Sequence, residues 1–473
     1  MSKRTKIVAT LGPSTDSPEV LDGLLEAGVD VVRLNFSHGS EADRERRVRE
    51  IRAAAARAGR DVGILGDLQG PKIRVERFSD GPVSLREGAH FALDTALAAD
   101  AGDAHAVGIS YKSLPGDVAP GDVLLLNDGA ITLEVQAVAG TRIDCVVKVG
   151  GLLSDNKGIN RQGGGLSAGA LTAKDREDIR HAATLDLDFL AVSFPRSAAD
   201  IEEARALLTE AGGRALMVAK IERAEAVERI EEIARASEVV MVARGDLGVE
   251  IGFAEVPGVQ KNIIRVARSL NRIIITATQM MESMIHEPIP TRAEVSDVAN
   301  AVIDGTDAVM LSGETAVGRY PVKAVQAMAG ACVSAEKQRA TSISHHRMDQ
   351  VFQRTDEAIA MATMYIANHM NVKAIVALTE SGSTALWMSR IRSGIPIYAF
   401  SRNEGTRRRV VLYRGVYPVP FDVTLTGDDG FGLVCEALKS RGIVAEGDRI
   451  LLTEGREAGV AGGTNTLRVL MVG

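Results

Sequence analysis

Cysteine is scarce in this chain: Cys145, Cys332 and Cys435 are odd in number and far apart along 473 residues. That excludes a disulfide framework and the paired spacing of a zinc site, and leaves small buried hydrophobes in a reducing compartment as the ordinary reading. Aromatic residues are few, at 4% with a single Trp, and they do not interleave with basic residues as in single-strand nucleic-acid binders. Positive charge is not in excess either. The formal net charge is -7, so no basic field exists to attract nucleic acid. No run approaches the about eighteen apolar residues that a membrane span needs, and the N-terminus lacks a signal-peptide core. The expectation is a cytoplasmic protein with neither nucleic acid nor membrane as partner.

What the chain does have is a hydrophobic content of 45%, enough for a large core, and eight short apolar runs that each end in a residue able to do chemistry. They are Lys6 to Thr10, Val31 to Asn35, Val62 to Asp67, Phe189 to Ser193, Leu216 to Lys220, Val239 to Arg244, Ile273 to Thr278 and Ala308 to Ser312. Polar residues at the carboxyl ends of parallel strands converge on one mouth when the strands close into a barrel. Helical patterns lie between the runs. Ser17-Pro18 opens one that Gly28 ends. Thr291 and Glu294 form a capping box ahead of a stripe of Val295, Val298, Ala299, Val302 and Ile303. Alternating strand and helix imply a parallel sheet, so the fold class is α/β with a (β/α)8 TIM barrel.

The alternation breaks after Asp67. Segments such as FALDTA, VLLLND and ITLEVQAVAG, separated by Gly, Asp and Pro, read as a small antiparallel β domain inserted after strand three. Its exit, Asn156 to Ala170, is glycine-rich enough for a hinge, and equally fits a plain surface loop. After the polar stretch Lys337 to Gln350 a further strand and helix series, with AIVALT, IPIYAF and RILLT as strands, reads as a doubly wound α/β domain. The expected division is residues 1–70 with 171–338 as barrel, 71–170 as inserted β lid, and 339–473 as a C-terminal α/β domain.

Lys220-Ile-Glu222 and Arg244-Gly-Asp246 close strands five and six. Residues two apart on a strand share a face, so Lys220 and Glu222 are expected to look into the mouth together. Glu222 and Asp246 offer oxygen to a hard divalent ion, for phosphate chemistry most often Mg²⁺. Gly245 lets backbone amides approach an anion. Thr278, and Ser312 with Glu314, end strands seven and eight, where hydroxyls relay protons or cap helices. The mouths of strands one to three carry Pro13, Arg33, Asn35, Ser37, His38 and Asp67, followed by Arg74. The two guanidiniums suit a polyphosphate.

RLNFSHG (Arg33 to Gly39), GDLQGPKIR (Gly66 to Arg74), AKIE (Ala219 to Glu222), VARGDLGVE (Val242 to Glu250), TATQMMESM (Thr276 to Met284), PTRAEVSDVANAV (Pro290 to Val302) and MLSGETA (Met310 to Ala316) resemble, in order and spacing, the motifs of pyruvate kinases. The resemblance spans the whole chain. It implies a barrel, an inserted small β-barrel lid and a C-terminal effector-binding domain, with phosphoryl transfer from phosphoenolpyruvate to ADP as the last step of glycolysis. By that resemblance Glu222 and Asp246 match the ligands of Mg²⁺ (or Mn²⁺), and Lys220 and Arg33 lie beside the phosphoryl group. Gly245, Asp246 and Thr278 match the cradle of the substrate carboxylate; Thr278 lies near the enolate carbon with Ser312 and Glu314 as candidates for a relay, and residue types leave open which group donates the proton. Pro13, Asn35, His38, Arg74 and the lid's Lys157 match nucleotide contacts, and a homotetramer is implied.

Many family members bind K⁺ and carry Thr-Lys-Gly-Pro-Glu where this chain reads Leu68-Gln69-Gly70-Pro71-Lys72. Together with Val75 this resembles the K⁺-independent branch, so Asn35, Ser37, Asp67, Leu68 and Lys72 mark a substituted monovalent-cation site and K⁺ is expected not to be required. In the C-terminal domain Thr379, Ser381, Gly382, Ser383 and Thr384 lie between a strand and a helix, where hydroxyls and free amides bind phosphate. The segment resembles bacterial members activated by AMP or sugar monophosphates, which rank above fructose 1,6-bisphosphate. Two other readings remain: an aldolase or lyase of a phosphorylated or oxo acid on a related barrel, and a metabolite-sensing paralogue without turnover.

Overall fold

The structure, a computed structural model, describes residues 3–342, 351–421, 428–455 and 462–473. Eight parallel strands close a barrel in the order Lys6–Thr10, Ala308–Leu311, Ile273–Ala277, Val239–Ala243, Leu216–Ile221, Phe189–Val192, Gly63–Asp67 and Val31–Asn35. Every run read from the sequence is one of these strands. Ser193, Arg244, Thr278 and Ser312 stand just past the last paired residue of their strands, and so belong to the mouth. The strands are buried along their length, as the near-continuous apolar runs of a parallel sheet require.

Side chains alternate between two cores. Ile7 and Ala9 pack outward under the helices with Ile64, Val240 and Val309. Val8, Val31, Leu65, Met241 and Ile275 fill the barrel interior, and that cluster runs on into Leu412, Tyr413 and Val416 of the C-terminal domain. The barrel floor and the C-terminal domain therefore share one core. At about 1.5–3 kcal/mol for each large apolar side chain buried, this interface is a substantial part of the stability.

The helix signals act as the sequence implied. Ser17 caps the helix Pro18–Ala27, which Gly28 ends at φ +110°, and Thr291 and Glu294 form a reciprocal box at the start of Arg292–Asp304. The stripe on that helix is rotated, however. Val298, Ala301 and Val302 are buried, whereas Val295 is 38% exposed because the buried face turns toward Ala301.

The inserted domain is a six-stranded sheet with a separate two-stranded ladder, and its ladders do not close into a ring among the described residues. Pairing is antiparallel except that His90–Asp94 runs parallel to Ala106–Gly108 and an isolated bridge of Phe78 with Gly102 is parallel. In the C-terminal domain five strands lie in the order Val416–Pro420, Ile397–Ser401, Ala374–Leu378, Arg449–Gly455 and Thr464–Met471. The last is antiparallel to its neighbour. Both outer strands are absent from the sequence reading, since prolines at 418 and 420 and a half-exposed polar pattern disguise them. Edge strands tolerate both.

Residues 343–350 of the polar stretch before this domain lie outside the described residues. Cys145 and Cys332 are free and buried, and burial pushes each thiol up to about 12. Among the described residues no helix is long and apolar enough to cross a membrane.

Candidate active site

Lys220 and Glu222 leave strand five at the barrel mouth, where the two side chains meet: Nζ stands 2.9 Å from Glu222 Oε1. Asp67, at the end of strand three, receives the same ammonium at 3.2 Å through Oδ1 and the Arg33 Nε at 2.6 Å through Oδ2. Lys220 also donates to Ser193 Oγ at 2.7 Å, and Arg33 to Thr10 Oγ1 at 3.1 Å. The second oxygen of Glu222 accepts the Phe194 N–H at 2.8 Å. Phe194 adopts φ +54°, a conformation that costs a bulky residue energy and that turns its amide toward the carboxylate.

Burial works to lower the Lys220 ammonium, but Asp67 and Glu222 beside it outweigh burial and hold it raised. Burial, with Asp246 and Asp67 adding repulsion, pushes Glu222 up to about 7 even though Lys220 pulls it down. Three carboxylates (Asp67, Glu222, Asp246) thus face two cations (Lys220, Arg33). The surplus negative charge and the all-oxygen donor set of Glu222 and Asp246 fit a hard divalent cation. Among the described residues no group of three or more His, Cys, Asp or Glu side chains is arranged as a complete metal cage. A cation held here must complete its shell with other oxygens, as Mg²⁺ does.

Asp246 lies in the first turn of the helix Arg244–Ile251. Ahead of it Gly245 N–H donates to Thr278 Oγ1 at 2.8 Å. Thr278 and Gln279 sit at φ +70° and +53°. Arg244 secures that strained turn, donating to Thr278 O at 2.8 Å and Gln279 O at 3.3 Å while ion-paired to Asp297 at 2.7 Å. Glu314 is 2% exposed, and its two oxygens accept Met281 N–H at 3.1 Å and Ser312 N–H at 2.7 Å. It shapes the loops around Thr278 and Ser312 rather than offering a free carboxylate.

A cavity of about 270 Å³ opens between the barrel mouth and the inserted domain, lined by Asp246, Lys72, Arg74, Lys157 and Arg223. Lys157 and Arg74 are brought together by an antiparallel bridge of Arg74 with Gly158. Pro13, Asn35 and His38 do not line this cavity. Pro13 begins the turn Pro13–Thr15, Asn35 Oδ1 accepts the Ser37 N–H at 3.1 Å, and His38 is exposed. The Leu68 side chain is buried hydrocarbon while its carbonyl accepts the Ser193 hydroxyl at 2.7 Å, and Lys72 is exposed toward the cavity.

In the C-terminal loop Thr379 Oγ1 accepts the Gly382 N–H at 2.9 Å, and the Thr384 hydroxyl is buried against Thr464 at 2.6 Å. Ser381 is exposed and Ser383 half-buried, with their hydroxyls 3.2 Å apart. Ser193 and Phe194 are missing from the sequence-derived site. Ser193 ended the fourth apolar run and so had a signal; Phe194 acts through its backbone, which carries none.

The family model for the pyruvate kinase barrel domain matches residues 2–325, and that for the pyruvate kinase alpha/beta domain matches residues 357–470. The chain belongs to the pyruvate kinase family. It is 55% identical over 99% of both chains to pyruvate kinase II of Salmonella typhimurium strain LT2, and 53% identical, again over 99% of both, to pyruvate kinase of Haemophilus influenzae. A pyruvate kinase of Mycobacterium intracellulare is 42% identical over 100% of this chain and 99% of its own. Membership makes the protein a phosphotransferase.

Proposed function

We propose that this chain moves the phosphoryl group of phosphoenolpyruvate to ADP, giving pyruvate and ATP, as a cytoplasmic enzyme of glycolysis. The observation that carries this reading is the buried cluster of Lys220, Glu222, Asp67 and Arg33 beside Asp246, with its surplus negative charge. Glu222 and Asp246 would hold Mg²⁺, or Mn²⁺ in its place. When bound, the metal would neutralise charge on substrate oxygens. Lys220 and Arg33 place fixed positive charge where the phosphoryl oxygens develop theirs, and phosphoryl transfer depends chiefly on such positioning.

The Gly245 and Asp246 backbone, together with Thr278, cradles the substrate carboxylate. Thr278 and Ser312 are the hydroxyls of the proton path, and Glu314 orients them through its two backbone contacts. Arg74 and Lys157 receive the nucleotide phosphates in the cavity under the inserted domain, with Pro13, Asn35 and His38 contributing from the mouths of strands one and two. Water exclusion follows when the lid closes over that cavity.

K⁺ is not required on this reading. Asp67 is already satisfied by Arg33 and Lys220, the Leu68 carbonyl accepts the Ser193 hydroxyl at 2.7 Å, and Lys72 brings an ammonium to the substituted site of Asn35, Ser37, Asp67, Leu68 and Lys72. An AMP or sugar-monophosphate activator binds at Thr379, Ser381, Gly382, Ser383 and Thr384. In support, Arg390, which caps the helix Ser383–Ser389, forms a buried ion pair with Asp307 at the foot of barrel strand eight. A ligand on the loop has a rigid route to the barrel. The active form is a homotetramer, with domain boundaries near residues 70, 170 and 338.

A coupled assay of pyruvate formation tests the reading. ADP-dependent turnover that rises with AMP or a sugar monophosphate at low phosphoenolpyruvate supports it. Turnover without ADP favours a lyase, and effector binding without turnover favours a sensing paralogue.

A further inference from the structure

The glycine-rich exit of the inserted domain is gripped by barrel side chains that the reading above leaves without a task. Gly163, Gly164 and Gly165 adopt φ of +82°, +78° and +88°, a run of left-handed backbone that glycine adopts readily. Directly after it, Leu166 and Ala168 are buried in the core of the inserted domain, so the segment travels with that domain. Its backbone, however, is held by the barrel. Arg223 Nη1 donates to Leu166 O and to Ala168 O, both at 3.3 Å. Arg196 Nη1 donates to Ser167 O at 2.9 Å, and Gly163 N–H donates to Glu250 O at 2.9 Å. Glu225 accepts the Gly165 N–H through Oε1, leaving Oε2 buried without a partner. A Cβ on Gly164 would lie 2.7 Å from that oxygen, so the glycine turn and the carboxylate are fitted to each other.

Arg223 also reaches the site. It is 4% exposed, follows Glu222 in the chain, and packs its guanidinium over the Phe194 ring at 5.6 Å. Phe194 in turn holds Glu222 Oε2 through its amide. One buried side chain therefore touches both the lid's exit and the residue that fixes the Glu222 carboxylate, and it lines the cavity that Lys157 enters.

We propose that Arg223 is a positioning residue that fixes the lid relative to Glu222, with Glu225 as a second catch on the lid's glycine turn. The inference rests on the assignment of Glu222 to the metal and Lys157 to the nucleotide. Swinging the lid away from the barrel pulls the Leu166 and Ala168 carbonyls from a buried guanidinium, whose loss of hydrogen bonds is costly. The lid position seen here is thereby favoured before nucleotide arrives.

Two measurements on the full-length protein test this. Hydrogen exchange over residues 163–170 in the ligand-free protein is expected to rise about tenfold in Arg223→Ala, the effect of losing a charged donor shared between the Leu166 and Ala168 carbonyls. In the same variant KM for ADP rises about tenfold while KM for phosphoenolpyruvate changes little, and Arg223→Lys, which keeps the charge but not the fork, recovers part of the loss. Glu225→Ala adds little in the Arg223→Ala background, because both hold the same segment. Should Arg223→Ala fail to fold, Glu225→Gln carries the test alone, with faster exchange at residues 163–170 and a raised KM for ADP. Unchanged exchange, or a fall in kcat with both KM values unchanged, overturns the proposal. A wild-type protein that makes no pyruvate from ADP would instead defeat the functional reading, and exchange alone would then decide whether the clamp exists.

Discussion

Lys220 Nζ and Asp67 Oδ1 stand 3.2 Å apart across the barrel mouth, joined from strands five and three over the top of strand four. Asp67 is 1% exposed and holds Arg33 with its other oxygen. One carboxylate thus fixes the two cations assigned to the phosphoryl group. Asp67→Asn is expected to lower kcat by about 10²–10³, the scale seen when a preorganised electrostatic group is removed, with a smaller change in KM. Steady-state kinetics check this, and a kcat within about threefold of wild type contradicts it.

Turnover measured in tetramethylammonium buffer is expected to be the same with and without K⁺, because Arg33 and Lys220 already balance Asp67. Lys72→Glu combined with Leu68→Thr adds oxygen and removes an ammonium at the cavity edge, and should make turnover rise with K⁺. Strong stimulation of the wild type by K⁺ counts against the assignment.

Lys6 is buried at the barrel floor, donating to Val416 O at 2.5 Å under the Tyr417 ring. Burial, only partly opposed by Asp30, lowers its ammonium from 10.5 to about 8. A base whose folded value lies below its unfolded one binds fewer protons when folded. Stability therefore carries the full penalty below pH 8 and rises as pH increases toward 10.5. Thermal melts should show Lys6→Met more stable than wild type near pH 7 and without this part of the slope. A wild-type advantage at pH 7 that vanishes at high pH would reverse the sign and sink the claim.

Arg390 and Asp307 are 1% and 2% exposed at the side chain. Arg390→Ala leaves the buried Asp307 carboxylate without its ion pair, held by the Ile274 and Arg414 N–H groups, which costs about 3–5 kcal/mol and lowers Tm by several degrees. The same substitution should weaken activation by a monophosphate added to the C-terminal loop. Full activation in a folded Arg390→Ala protein would show that the signal takes another route.

Much of this was legible in the residues. Strands with chemistry at their ends, such as Leu216 to Lys220, carry both the apolar run and its terminal group in consecutive letters, so the barrel and its mouth could be read directly. Capping at Ser17 and Thr291 was equally local. What escaped were effects that depend on distant contacts. The Glu314 carboxylate is a pair of backbone acceptors, a fact set by the loops of strands seven and eight meeting. The Phe194 amide and the grip of Arg223 on Leu166 and Ala168 likewise join segments far apart in sequence. Strand Val416–Pro420 was hidden by prolines that only an edge position permits.

The most direct measurement is pyruvate formation by Lys220→Met at saturating Mg²⁺, phosphoenolpyruvate and ADP, with folding verified by an unshifted melt. A methionine keeps the stem and removes the charge from a site where it faces Asp67 and Glu222. A fall in kcat of at least about 10³ is predicted, since fixed charge at the transferring oxygens is the dominant contribution. A kcat within about tenfold of wild type would contradict the placement of phosphoryl transfer at this cluster.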